Sequence, residues 1–369
     1  MANDDKIALT GKTARELAEA LELKAYQGRQ LFQWLHKRRV FDFERMTDLP
    51  KSLRERLRAE CMPAQLAVIE MRESPRTGTR KALLQLPDGE AVEAVLIRDG
   101  ERLTVCLSSQ VGCPLQCAFC ATGLAGFTRN LSPGEIVEQA LHLLVGEDLE
   151  GRTPNIVFMG MGEPFRNYDA VMSAIRLLME ADGLGIGARK ITLSTAGEAK
   201  AIERFAWEGL QVRLSVSLHA ANDALRDRLV PLNRRYPLDR LREAIETYTH
   251  ESGRQITFEW TLLEGVNDEP HHARELLEYA GGLKAFVNLI PWNPVPGMPF
   301  QPSTKQRAQA FRDVLVEGGV KATLRAEKGQ DIDAACGQLR RTRAMEARAA
   351  SAGTPETGQG GSVARASRP

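Results

Sequence analysis

Long apolar runs are missing from this chain of 369 residues. None approaches the roughly 18 to 20 residues that a helix needs to cross a bilayer, so no membrane span is expected. The opening stretch MANDDKIALT has no apolar core of the kind a secretion signal carries, which makes the cytoplasm the expected location. Cysteine is sparse: Cys61, Cys106, Cys113, Cys117, Cys120 and Cys336 are all there is. Six in a long chain without a secretion signal point to metal or catalysis and not to a disulfide scaffold. Net charge is almost absent too, at +1, and says nothing about partners until it is divided along the chain. Between Lys12 and Glu60, twelve Lys or Arg stand against eight Asp or Glu, a local excess of four that includes Lys37-Arg38-Arg39. Such a patch suits phosphates, and equally suits a solvated helix face.

What is present can fill one large core with one or two small attachments, since 43% of residues are hydrophobic and 26% charged. Residues 1–62 read as a helical accessory unit. There TARELAEALEL opens on a Thr-x-x-Glu capping box, and Leu31, Phe32 and Leu35 recur at helical spacing. Residues 63–100 alternate apolar and polar around a Pro87-Asp88-Gly89 turn, the pattern of a short antiparallel β extension. Within it Glu93 sits between Val92 and Ala94, where a carboxylate would ordinarily face solvent. Residues 101–340 repeat strand, loop and helix. The strands are LTVCLSS, NIVFMGM, KITLSTA, RLSVSLH, ITFEWTLL and AFVNLIP, and six such units predict an α/β fold closed into a partial (βα)6 barrel. Residues 341–369 are small and polar without hydrophobic periodicity, as in a disordered tail.

In GCPLQCAFCATGLAG, Cys113, Cys117 and Cys120 stand at C-x3-C-x2-C spacing, with Phe119 before the last. Thiolates this close on an irregular loop can converge on one soft metal centre. Tetrahedral zinc would need a fourth protein ligand, and the next candidate, His142, falls within a predicted helix. A [4Fe–4S] cluster held by three thiolates keeps one iron open, and that iron can bind the amino and carboxylate groups of S-adenosylmethionine. The loop follows the first barrel strand, at the end where such folds bind ligands. Other strand ends are polar where a core strand would be apolar: Ser194, then Ser217-Leu218-His219, then Asn293 after IPW. Their hydroxyl, imidazole and amide groups can hydrogen-bond a ribose, a carboxylate or an adenine.

The three-cysteine loop resembles the signature of the radical S-adenosylmethionine superfamily. In that light Gly162 and Glu163 of MGMGEP look like the segment that contacts the methionine amino group. Together with GFTRNL, LSTAG, SVSLHA, IPWNPV and the cysteine of AACGQL, the chain resembles the dual-specificity adenine-C2 RNA methyltransferases over nearly its whole length. The resemblance implies two S-adenosylmethionine molecules per turnover, an external donor such as a flavodoxin-type reductant, and 23S rRNA and tRNA as substrates. It also implies that Cys336 carries the methyl group, that Cys106 resolves a covalent protein–RNA adduct by forming a disulfide with it, and that Glu93 accepts a proton. Cys61 matches no role and reads as structural. Lys37, Arg38, Arg39 and Arg129 are candidate phosphate contacts. Methylation at adenine C8 by the same fold, a radical enzyme acting on a substrate other than RNA, and a zinc RNA-binding module are the competing readings.

Overall fold

The computed structural model describes residues 6–149, 151–325, 328–334 and 337–339. Cys336 and the segment 341–369 lie outside the described residues. Ten strands form one sheet. Three are antiparallel, β1 (Ala67–Glu73), β2 (Arg80–Gln85) and β3 (Ala91–Asp99), and β3 turns back into β4 (Arg102–Cys106). From β4 on, every pairing is parallel: β5 (Asn155–Phe158), β6 (Ile191–Thr195), β7 (Arg213–Ser217), β8 (Ile256–Leu262), β9 (Ala285–Pro291) and β10 (Lys321–Leu324), in that spatial order. The expected α/β class, the six strands and the antiparallel extension are all present, with one addition. The short, polar β10 makes a seventh parallel strand, because Phe286 to Leu289 of β9 offer it a ladder that its own four residues do not advertise.

Which way the strands face follows from their two-residue period. Ile191, Leu193, Leu214, Val216, Phe258, Trp260, Val287 and Leu289 are buried under the crossover helices. Their alternates, Thr104, Cys106, Thr192, Ser215, Thr257, Glu259, Asn288 and Thr323, line a single cavity of about 540 Å³. One cavity touched by all seven parallel strands requires the sheet to curl around it as an open barrel. A closed (βα)8 barrel packs its interior with bulky aliphatic side chains, whereas small hydroxyls here leave it hollow.

The N-terminal unit contains α1 (Ala14–Ala20), α2 (Ala25–Phe32) and α3 (Lys51–Glu60). The capping box forms as its sequence predicts: the Thr13 N–H donates to Glu16 at 2.7 Å, and the Glu16 N–H to the Thr13 hydroxyl at 3.2 Å. Leu31, Phe32 and Leu35 are buried, each worth about 1.5–3 kcal/mol of apolar burial. The unit docks on α4 (Pro133–Leu143) through Glu138, a buried carboxylate that accepts from the Thr10 hydroxyl and from the backbone N–H groups of Gln65 and Leu66. At the same seam Gly11 and Gly134 pass so closely that a Cβ on either would come within 3.0 Å of the other's backbone nitrogen.

Candidate active site

Two glycines at one end of the barrel allow the backbone to fold back on itself. Gly112 has φ +78°, and a Cβ there would sit 1.9 Å from the Gly126 carbonyl, which instead accepts from the Cys113 N–H at 2.8 Å. This closure turns Cys113–Cys120 into a compact loop. Its far side is held by the Ala118 N–H on the Leu229 carbonyl and by the Trp292 indole N–H on the Phe119 carbonyl, both at 3.0 Å. Burial pushes the Cys113 thiol up to about 12 and Cys117 well above the ordinary thiol range. Deprotonating such a set needs a strongly cationic partner, which fits an iron–sulfur cluster.

Glu163 follows β5 and is 3% exposed. Its carboxylate accepts from the N–H groups of Phe165 at 3.1 Å and Ala196 at 2.9 Å, which join the ends of β5 and β6. Burial pushes it up to about 7, against the lowering effect of those N–H donors. Gly162 has φ +104°, and a Cβ there would meet Ser109 and Gln110 side-chain atoms at 2.7 Å. Ser194 and Ser217 share the inner face with Thr192 and Ser215 by strand alternation. Leu218 is buried and donates its N–H to the Glu259 carbonyl at 3.0 Å. His219 has φ +60° and accepts from the Thr261 N–H through Nδ1 at 3.0 Å, so its ring proton is assigned to Nε2. Its ring meets Phe119 edge-on at 4.5 Å, directly beside the cluster loop. Asn293 lines the cavity and accepts from the Gln330 amide at 2.7 Å.

Cys106 also lines this cavity. It stands opposite Val95 in the β3–β4 register, which puts Glu93, two residues earlier, on the same face. Glu93 does not face solvent as strand statistics suggest. It is 8% exposed and paired with the ammonium of Lys81 at 2.9 Å. The C-terminal loop crosses above: the Ala121 N–H donates to the Gly337 carbonyl at 2.9 Å, and the Thr122 hydroxyl to the Leu339 carbonyl at 2.7 Å.

Three residues inside the barrel escape a motif-based reading. Glu259 and Asn288 are hydrogen-bonded at 2.7 Å across β8 and β9, burial pushes Glu259 up, and Arg325 completes the cavity lining. A glutamate in the middle of ITFEWTL was the available signal. Other expectations meet intramolecular partners instead. Arg38 stacks on Trp34 and pairs with Asp48, Arg39 donates to the Glu147 carbonyl, and Arg129 is clamped between Asp88 and Glu135. Lys37 of that run is exposed, with the Asp182 carboxylate near enough to feel its charge. Cys61 is buried in the core and its thiol is pushed up to about 11, in keeping with a structural role. No disulfide joins two described cysteines, and Cys336, the expected partner of Cys106, lies outside the described residues.

Residues 107–277 match the radical SAM superfamily, and residues 7–62 match the N-terminal domain of a ribosomal RNA large subunit methyltransferase. The chain is 48% identical to the dual-specificity RNA methyltransferase RlmN of Halorhodospira halophila, covering 87% of this chain and 89% of that protein. It is equally similar to a probable RlmN of Moorella thermoacetica, over 91% and 97%. A radical SAM methyltransferase from Sphaerobacter thermophilus superimposes with a TM-score of 0.87 at 45% identity, over 91% of this chain and 99% of that one. No described helix is long and apolar enough to cross a membrane. Because the likeness extends through the helical unit and the β extension as well as the barrel, the protein belongs to the dual-specificity RNA methyltransferase RlmN family, radical SAM enzymes that work with a [4Fe–4S] cluster and S-adenosylmethionine.

Proposed function

We propose that the protein methylates C2 of adenine in 23S rRNA and in tRNA, through a methyl group carried on Cys336 and a covalent protein–RNA adduct resolved by Cys106. Adenine C2 lies between two ring nitrogens and is too electron-poor to attack a sulfonium methyl group directly, so a polar transfer does not serve. Bound at Cys113, Cys117 and Cys120, the cluster with S-adenosylmethionine supplies methyl groups and a hydrogen-abstracting radical. Gly162 and Glu163 receive the methionine ammonium, and Ser194, Ser217, Leu218, His219 and Asn293 surround the rest of the cofactor. The Cys336 sulfur accepts a methyl group whose carbon later bonds to C2. Glu93 then takes the C2 proton. Once the adduct has given up its unpaired electron, which the cluster would accept, the Cys106 thiolate bonds to the Cys336 sulfur as the carbon–sulfur bond breaks. The electron pair of that bond stays with the methylene carbon, which takes up a proton to leave the methylated base and a transient disulfide.

The observation that carries this reading is the course of the C-terminal loop. Gly337, next to Cys336, is bonded to the residue after Cys120, while Ala334 lines the cavity that Cys106 also lines. The described residues that flank Cys336 in the chain thus meet the cluster loop at one end and the cavity of Cys106 at the other. The N-terminal unit supports RNA binding by its resemblance, with Lys37 and Arg38 as the exposed cations of its basic run. A target base must leave its stack to enter a barrel, which single-stranded loops make less costly. The cytoplasm and a flavodoxin-type electron donor complete the proposal. Anaerobic reconstitution with S-adenosylmethionine, reductant and RNA tests it: deoxyadenosine and 2-methyladenosine are both expected. A methyl group located at C8 by mass spectrometry, or none on RNA, overturns it.

A further inference from the structure

Lys81 is a buried cation on the inner sheet face, in a stretch, RKALLQ, that otherwise reads as plain strand. It is 8% exposed. Its Nζ lies 2.9 Å from Oε1 of Glu93 and also donates to the carbonyl of Asp333 at 3.0 Å. The register explains how it gets there. Lys81 stands opposite Val95 on β3, and Val95 stands opposite Cys106 on β4, so Lys81, Glu93 and Cys106 share one face across three neighbouring strands. Asp333 belongs to the loop that reaches Cys336 three residues later.

We propose that Lys81 is a positioning residue for the deprotonation step, one ammonium that pairs with the Glu93 carboxylate and fixes its separation from the loop carrying Cys336. This rests on the reading of Glu93 as proton acceptor and Cys336 as methyl carrier. The chemistry demands such a link. In the adduct, adenine C2 bears both the proton to be removed and the methylene bonded to the Cys336 sulfur. The proton passes to a Glu93 oxygen while its bonding electrons stay with the base, so the carboxylate must be anionic beforehand and must reach a carbon two bonds from that sulfur. Glu93 lies on a strand wall beside Val92, Ala94 and Val95, where an unpaired anion is disfavoured. Lys81 supplies the counter-charge and, through Asp333, ties the loop to the same point. A buried ion pair kept only for stability would behave otherwise: removing its cation would lower the stability of the fold without singling out the decay of the adduct.

The test is single-turnover reaction of the reconstituted holoenzyme with RNA containing adenine or C2-deuterated adenine, followed on a denaturing gel for adduct and by mass spectrometry for product. Lys81→Met retains iron, methylates Cys336 and forms deoxyadenosine, but its adduct decays about 10- to 100-fold more slowly, up to the lower limit of the roughly 100- to 10,000-fold that a general base contributes. That decay shows a larger deuterium effect than in the wild type, since proton removal has become limiting. Lys81→Arg, which keeps the cation, restores most of the rate. Lys81→Gln, which keeps a donor for Asp333 without the charge, stays slow and guards against misfolding of the Met variant. Adduct decay in Lys81→Gln at the wild-type rate and with an unchanged isotope effect overturns the inference. Glu93→Gln is the control that separates the two levels: if its adduct also decays normally, the proton-acceptor assignment itself falls, and if it alone stalls, only the role of Lys81 does.

Discussion

The backbone N–H of Ala121 donates to the carbonyl of Gly337 at 2.9 Å, joining the residue after the last cluster cysteine to the residue after Cys336. One residue later, the Thr122 hydroxyl donates to the carbonyl of Leu339. Two hydrogen bonds thus set the distance between the cluster and the C-terminal loop, although 216 positions separate Cys120 from Cys336 in the chain.

Removing one of them should loosen that distance without touching the cluster. Thr122→Val leaves the Leu339 carbonyl short of a donor, at a cost of about 1–3 kcal/mol. The expected outcome is normal iron content and a reduced rate of Cys336 methylation, measured by intact mass over time. Unchanged methylation kinetics would show that the strap is irrelevant to methyl loading.

Gly162→Ala forces a Cβ into Ser109 and Gln110 at 2.7 Å, with φ +104° adding backbone strain of about 1–3 kcal/mol. Relief moves Glu163 away from the position proposed for the cofactor's ammonium. Calorimetry should find S-adenosylmethionine binding weakened by more than tenfold, whereas Gly185→Ala, at a positive φ with no atom nearer than 4.0 Å, should bind normally.

Cys106→Ala separates catalysis from packing. A structural cysteine shortened to alanine leaves a small cavity worth roughly 1–2 kcal/mol and a protein that still releases its product. Loss of a resolving thiol instead traps RNA on the protein. A band that survives denaturant, requires S-adenosylmethionine and vanishes in the Cys106→Ala/Cys336→Ala double variant is the expected result.

His36 carries a pH dependence in the N-terminal unit. Burial against Phe32 holds it down to about 3, from an ordinary value near 6.5. As pH falls below 6.5 the unfolded chain takes up a proton that the folded one refuses, so stability is lost progressively toward pH 3, at up to about 1.4 kcal/mol per pH unit. Glu138, pushed up to about 7 by burial, acts in the opposite sense, its contribution being fully present below 4.5 and lost as pH rises through 7. Comparing melting temperatures of wild type and His36→Phe between pH 7 and 5.5 isolates the first effect. The variant should show the smaller loss on acidification, and parallel curves would refute it.

The cluster loop, the strand-end motif of Gly162 and Glu163, the capping box at Thr13 and the six apolar-patterned strands were all legible in the sequence, because each depends on neighbours within a few residues. Periodicity of two marks a strand, and cysteines three and four positions apart meet on a loop whatever the rest of the chain does. Strand β10 was not legible, since its four residues gain their order from β9 alone. Nor was the fate of the basic side chains: Arg39 and Arg129 find partners 108 and 41 positions away, and a charge count cannot tell a phosphate ligand from a buried clamp. Glu93 is the clearest case. Its local pattern predicts a solvated strand residue, and only the curl of the sheet, which turns that face into the wall of a cavity and sets Lys81 diagonally across from it, makes it a buried anion beside Cys106. Local spacing decides which groups can act together on one loop. Which groups meet across the barrel is decided by strand register and by the loop that Gly337 and Asp333 draw over it, and these are properties of the closed fold.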